Sequence, residues 1–242
     1  MKVNITIPVF NEEGTLAASI VKLREMLFGR LTFAFEIVIA NNGSTDRTLE
    51  IARQIACGNN VVHVTHSDAK GRGRALKLAW AESDAQVLSY MDVDLSTDLD
   101  HFPTLISALV GGGYDLAVGS RLLNPKTTTR KWKREVISRC YNRLVKAVFG
   151  TRFSDAQCGF KAITKNTAMK LLPLVEDNGW FLDTELLILA EKLGYRIYDF
   201  PVRWVEDPDS RVKIFRTAFD DIKGVMRVKR NLQTGRYRNW ER

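Results

Sequence analysis

The chain lacks most of what marks the specialised protein classes. Its three cysteines (Cys57, Cys140, Cys158) are odd in number and scattered, with no CxxC and no histidine nearby at ligand spacing. That argues against both a disulfide framework and a zinc site, and makes a reducing cytoplasm the expected compartment. With only 16 glycines and 6 prolines in 242 residues, collagen and low-complexity disorder are excluded. No run approaches the ~18 uninterrupted apolar residues of a membrane span. The opening MKVNITIPVFNEE has no long apolar region and meets charge at Glu12, so no signal peptide is expected. The first strand pattern is not followed by GxGxxG, which counts against a dinucleotide cofactor. What remains is an ordinary globular composition, 45% hydrophobic and 26% charged, in a chain long enough to bury roughly 70% of its unfolded surface.

Charge is present in excess but unevenly placed. The formal net charge is +8, yet residues 126–152 alone carry +8 and residues 211–242 carry +7, leaving −7 on the rest. An acidic body with two basic segments points to a polyanionic partner such as nucleic acid, an anionic lipid surface or a phosphate-bearing substrate.

Short apolar runs alternate with helical patterns, which argues for an α/β fold with a mostly parallel central sheet. Strands are expected at Val3–Val9, Phe35–Ala40, Val61–Thr65, Gln86–Met91, Leu116–Gly119, Gln157–Ile163 and Ile197–Val205. Leu16, Ile20, Leu23 and Leu27 recur at helical spacing, as do Leu49, Ala52 and Ile55. Further helices are expected over Ala75–Ala81, Phe102–Val110 and Leu182–Lys192. Two amphipathic helices fall in the basic segments. One carries Ile137, Tyr141, Leu144 and Val148; the other spans residues 211–230, with Phe215, Phe219, Ile222 and Met226 on its stripe. No internal repeat or linker is visible. The expected organisation is one domain over residues 1–210 and a basic amphipathic extension over 211–242.

Four consecutive strand ends carry polar loops. The first is Pro8-Val9-Phe10-Asn11-Glu12-Glu13, in which Asn11 also suits a helix N-cap. The second is Asn41-Asn42-Gly43-Ser44-Thr45-Asp46, and the third is Asp68-Ala69-Lys70-Gly71-Arg72-Gly73. The fourth is Asp92-Val93-Asp94: two carboxylates at i and i+2, which point to the same side if the chain stays extended. Ligands of open α/β sheets bind at this edge. Paired carboxylate oxygens suit Mg²⁺ or Mn²⁺, ions that typically also coordinate substrate phosphate. His63, His66 and His101 lie outside these motifs and read as structural.

At these residues the chain resembles glycosyltransferase family 2, whose members have the GT-A (Rossmann-like) nucleotide-sugar-binding fold. Three further elements carry the likeness towards the polyprenyl-phosphate (dolichyl-phosphate) hexose synthases. They are Asp155-Ala156-Gln157-Cys158-Gly159-Phe160-Lys161, Trp180-Phe181-Leu182-Asp183-Thr184-Glu185 and Ser210-Arg211. The Gln-Cys-Gly-Phe-Lys element resembles the dolichyl-phosphate beta-glucosyltransferase type. The resemblance implies that Pro8, Phe10 and Glu12 contact the nucleoside, with Asn42 near base and ribose and Asp46 and Lys70 in the matching donor-side motifs. It implies that Asp92 and Asp94 hold the divalent cation. Arg121, Arg134 and Arg211 would gather phosphates, with Ser138 supporting, and Asp155 and Asp183 are candidates for an orienting or proton-accepting carboxylate. Asn41-Asn42 stands where the family commonly has Asp-Asp, and Ser96 where Gln is frequent. Donor choice between UDP- and GDP-hexose therefore stays open, with UDP-glucose favoured.

The reaction so implied is inverting transfer of a hexose to a polyprenyl phosphate, by a protein peripherally bound at the cytoplasmic membrane face. The alternative acceptor is a glycan or a soluble hydroxyl compound. A phosphate monoester is already largely a dianion at neutral pH, so it calls for positioning by arginines rather than for a general base. Arg139, Arg143 and Lys146 are expected to face headgroups, with Ile137, Tyr141 and Leu144 against acyl chains or the core. Nucleic acid is not an expected partner: the basic segments carry no zinc-finger or RNP-like pattern and coexist with an acidic edge.

Overall fold

A computed structural model describes residues 1–129, 132–206 and 214–237, with main chain alone at 125 and 214–216. Seven strands form one sheet: β1 (Lys2–Val9), β2 (Ala34–Asn42), β3 (Val62–Ser67), β4 (Val87–Met91), β5 (Leu116–Ser120), β7 (Phe160–Thr164) and β8 (Ile197–Pro201). Their spatial order is β3-β2-β1-β4-β7-β5-β8. A two-stranded parallel ribbon of β6 (Thr128–Thr129) and β9 (Trp204–Val205) lies apart from it. The single long strand expected over 197–205 is therefore two strands in different sheets, broken where Val202 and Arg203 leave the ladder.

Both faces of the sheet are covered, as a parallel sheet requires. On one face lie α1 (Leu16–Arg30), α2 (Thr48–Ala56) and α4 (Phe102–Val110), packed over Val3, Ile5, Ile7 and Val9 of β1. The Leu16, Ile20, Leu23 and Leu27 stripe of α1 is fully buried there, each leucine contributing roughly 1.5–3 kcal/mol relative to exposure. On the other face lie α3 (Arg72–Glu82), α5 (Trp132–Phe149), α6 (Lys165–Leu171), α7 (Leu182–Lys192) and α8 (Ile214–Gln233). Helix α6, too short and polar at its start to stand out by periodicity, was not foreseen from the sequence.

Two topological facts position the site. The chain winds outward from β1 through β2 to β3, then returns to place β4 on β1's other side. The crevice where the order reverses opens at the strands' C-terminal ends. Strand β7 runs antiparallel between β4 and β5, pairing Phe160 with Met91. Its N-terminal end therefore lies at the same edge, and the Asp155–Gly159 segment arrives beside Asp92.

Helices α5 and α8 leave part of the apolar stripe that their spacing marks outside the core, although Tyr141 and Val148 of α5 pack against it. The inward residues of α5 are Ser138, Asn142, Val145 and Phe149, whereas Trp132, Val136, Ile137 and Leu144 are exposed. Tyr141 points inward instead, its hydroxyl 2.8 Å from Thr184 Oγ1. On α8 the buried positions are Asp221, Val225, Val228 and Asn231, while Phe219, Ile222 and Met226 are 49–61% exposed. The side chain of Phe215 lies outside the described residues. Among the described residues no helix is long and apolar enough to cross a membrane.

Candidate active site

The first three strand ends are stitched together by side chains. Asn11, held at φ 57°, donates its N–H to Ser44 Oγ (3.0 Å) and accepts from Thr45 N–H (2.8 Å). It laces β1 to β2 rather than capping α1, whose N-cap is Thr15. Glu12 N–H donates to Thr48 Oγ1 at 2.7 Å, and Asn42 Oδ1 accepts from Gly71 N–H. Asp46 accepts from Thr48 N–H and hydroxyl and from Glu13 N–H. Burial pushes its carboxyl up, but these bonds hold it below the usual range. Pro8 and Phe10 are half-buried at the crevice, and the exposed Lys70 lays its ammonium 3.7 Å from the Phe10 ring centre, a cation–π contact. His66 bridges Asn41 and Asp68 at 2.8 and 2.9 Å, so it belongs to this edge.

The Asp92–Asp94 pair is not in extended chain. Leu95, at φ 50°, returns its N–H to Asp92 C=O (3.1 Å) and closes a turn. Asp92 is half-buried at the strand end; Asp94 is exposed, its Oδ1 accepting from Ser96 N–H at 2.9 Å. A Cβ on Gly159 would overlap the Asp92 carboxylate, so only glycine directly before β7 leaves the carboxylate its place. Among the described residues no cluster of three or more His, Cys, Asp or Glu could hold a metal. Two hard oxygen donors with open positions suit an ion that completes its shell from phosphate and water, as Mg²⁺ and Mn²⁺ do.

Behind this pair lies a buried charge network. The Arg72 guanidinium reaches Asp92 Oδ1 at 2.9 Å and Asp183 Oδ2 at 2.8 Å. Asp183 also accepts from the Tyr90 hydroxyl and lies 3.3 Å from Lys161 Nζ. Burial raises the Asp183 carboxyl, but Lys161 and Arg72 outweigh it and keep the group ionised below the usual range. Asp155, fully buried, takes Arg121 side-on: Nε at 2.7 Å, Nη2 at 2.9 Å and the backbone N–H at 3.2 Å. Here too burial is overcome, chiefly by the Arg121 charge, and the carboxyl sits low. The arrangement fixes the guanidinium plane and turns its Nη1 edge away from the carboxylate, beneath Trp204 (5.5 Å). Burial pushes the Cys158 thiol up to about 12, which makes it inert.

The remaining sequence candidates are dispersed. Arg134 pairs with Glu206 at 2.8 Å beside the β6–β9 ribbon. Ser138 is buried on α5 with its hydroxyl unpartnered. Arg211 lies outside the described residues. Missing from the sequence reading as site residues were Arg72, Tyr90, Trp180, Gly159 and Trp204. A basic residue opening a helix directly after the glycine of the third loop was the one local signal for Arg72.

The model of glycosyl transferase family 2 matches residues 4–172, which include every strand end described above. The chain belongs to that family. Among relatives, it is 38% identical over 227 residues to the glycosyltransferase AglD of Haloferax volcanii. That match covers 93% of this chain and 36% of AglD, so the chain spans about a third of that protein. It is 28% identical over 229 residues to the dolichyl-phosphate beta-glucosyltransferase of Drosophila melanogaster, covering 89% of this chain and 70% of the other. The glucosyl-3-phosphoglycerate synthase of Mycobacterium tuberculosis, solved with Mn²⁺, UDP-glucose and phosphoglyceric acid, superposes with a TM-score of 0.71 at 20% identity. That superposition covers 94% of this chain and 79% of the synthase and establishes the shared fold. The crevice draws its polar groups from the strand ends and, through Arg72 and Asp183, from the first turns of α3 and α7.

Proposed function

We propose that this family 2 chain is the catalytic unit of an inverting hexosyltransferase. It moves a hexose from a nucleotide-diphosphate sugar, UDP-glucose favoured, to a polyprenyl phosphate at a membrane surface. The observation that carries the acceptor class is the state of Asp155 and Asp183. Both are buried, paired with cations and held ionised, so neither offers a base poised near neutral pH to deprotonate a hydroxyl. A phosphate monoester, with its second pKa near ~6, needs no such base. The names of the dolichyl-phosphate glucosyltransferase relatives support the same acceptor.

In this reading Pro8, Phe10, Glu12 and Asn42 receive the nucleoside, and Asp46 holds their loop. Lys70 leaves the Phe10 ring to meet the donor. Asp92 and Asp94 would hold Mg²⁺ or Mn²⁺, which neutralises charge on a departing diphosphate. Asp155 orients Arg121 so that its outer edge steers the acceptor phosphate towards the anomeric carbon, and Arg134, Arg211 and Ser138 are proposed as further contributors to phosphate binding. The phosphate oxygen forms the new bond as the nucleoside diphosphate leaves, and no proton passes to the protein.

The exposed faces of α5 and α8 provide the membrane contact. Phe219, Ile222 and Met226 are flanked by exposed Lys223, Lys229 and Arg230, and Trp132, Val136, Ile137 and Leu144 by exposed Lys133 and Arg143. Apolar residues bordered by cations suit an anionic headgroup plane without spanning it. This is a peripheral placement, assigned to the cytoplasmic face.

The test is transfer of labelled glucose from UDP-glucose into an organic-phase product with a short-chain polyprenyl phosphate and Mn²⁺. Asp94→Ala is expected to lower turnover at least a hundredfold while leaving circular dichroism and melting unchanged. Full activity in that variant removes the metal assignment. Label passing only to a soluble hydroxyl acceptor replaces the lipid phosphate with the other acceptor class.

A further inference from the structure

Arg72 has an unusual position for a surface-helix residue. It opens α3 yet is 7% exposed, and the Tyr90 and Trp180 rings each lie 4.8 Å from its guanidinium carbon. Those rings pin the cation in place and shield it from water. Its two ends are spent on Asp92 and Asp183. With Lys161, the network holds two cations against two carboxylates and is neutral as it stands. Asp92 is thus already neutralised, and among the described residues no cluster of three or more metal-binding side chains is present.

We infer that Arg72 is the resident cation of the donor site: it occupies Asp92 in the free protein and keeps a divalent ion out until a nucleoside diphosphate arrives with it. The inference rests on the donor-site reading above and adds an order of loading to it. A lone M²⁺ approaching Asp92 meets the guanidinium at short range, and like charges in a partly desolvated site repel strongly. A diphosphate brings the negative charge that offsets the ion and the oxygens that complete its shell. Asp92 is then the shared partner, one oxygen towards Arg72 and the other in the space left by Gly159. Arg72 is a positioning residue in this scheme, acting through Asp92.

The test is Mn²⁺ binding, read by electron paramagnetic resonance and water-proton relaxation, with and without UDP, and without turnover. The wild-type protein should bind Mn²⁺ at least tenfold more tightly with UDP than alone. Arg72→Gln should bind Mn²⁺ alone at least tenfold more tightly than wild type does, about 1.4 kcal/mol, and lose most of the UDP dependence. Arg72→Lys, which keeps the charge, should behave as wild type. Damage to the site can only weaken binding, so the direction of change separates a charge effect from a structural one. Should Arg72→Gln fail to fold because buried Asp183 loses one of its two cations, R72Q/D183N keeps the network neutral and carries the same comparison. Unchanged or weaker binding of Mn²⁺ alone in the folded variant overturns the inference while the donor site stands. A wild-type protein that binds Mn²⁺ no better with UDP than without it overturns the inference as well. One that binds neither UDP nor Mn²⁺ removes the donor-site reading itself.

Discussion

Replacing Asp221 by asparagine should stabilise the protein, and increasingly so as pH rises. Asp221 is 2% exposed on the inner face of α8, where its Oδ2 accepts from Gln157 Nε2 at 2.7 Å. Burial, with Asp177, Asp220 and Asp183 facing it, pushes the carboxyl up to about 7, against the pull of the Gln157 bond. In the unfolded chain the group titrates near ~3.9. Between those values the native state keeps a proton that the unfolded state has released, so stability falls as pH rises through the window and levels off above it. About three pKa units correspond to at most ~4 kcal/mol, and α8 would feel most of it through its seat on Gln157. Asparagine keeps the acceptor oxygen and removes the ionisation. Urea unfolding from pH 5 to pH 8.5 should show the gap between wild type and Asp221→Asn growing from about 1.5 kcal/mol at the acidic end. Above pH 7.5 the variant should be more stable by a few kcal/mol. A difference that does not grow with pH, or a variant less stable at pH 8, would refute the assignment of a neutral carboxyl to this helix face.

The Arg121–Asp155 pair is buried and side-on, so Arg121→Gln and Asp155→Asn should each cost about 3–5 kcal/mol by stranding the partner. In a chain of this length that is a fall in melting temperature of roughly 6–20 °C. The double variant should lose at least ~2 kcal/mol less than the sum, and strict additivity in thermal melts would show the pair uncoupled. Reversing Arg143, Lys146 and Lys229 to Glu, or Phe219 and Met226 to Ser, should reduce flotation with anionic liposomes at least tenfold, at ~1 kcal/mol per basic residue. Unchanged flotation in both sets would remove the membrane face from α5 and α8.

Much of the fold was legible because its cause is local. The alternation of apolar strands with 3.6-period helices marks a parallel sheet, since strands covered on both sides must be apolar throughout. The α1 stripe lies in the core as its spacing predicts. The strand-end loops were legible for a similar reason: polar residues directly after buried strands have to sit at the sheet's edge. The amphipathic helices were legible only as two-faced. Apolar periodicity shows that a helix has two faces, but not which one the protein covers. On α5 the core takes Ser138 and also Asn142, whose amide it satisfies through Ser138 C=O and Ala156 N–H, and leaves Ile137 and Leu144 outside. The extended chain that would set Asp92 and Asp94 side by side is interrupted because Leu95's positive φ closes a turn that no residue type there announces.

By itself, then, the order of residues determined the strands, the edge at which the chemistry gathers and the likeness to family 2, all of which follow from neighbours in the chain. Only the tertiary structure decided which charges meet. Arg72 lies 20 residues from Asp92 and 111 from Asp183. Arg121 finds Asp155 only because β7 turns antiparallel and delivers its leading loop to the crevice. A charge acts through distance and burial, and both are properties of packing that distant segments create together.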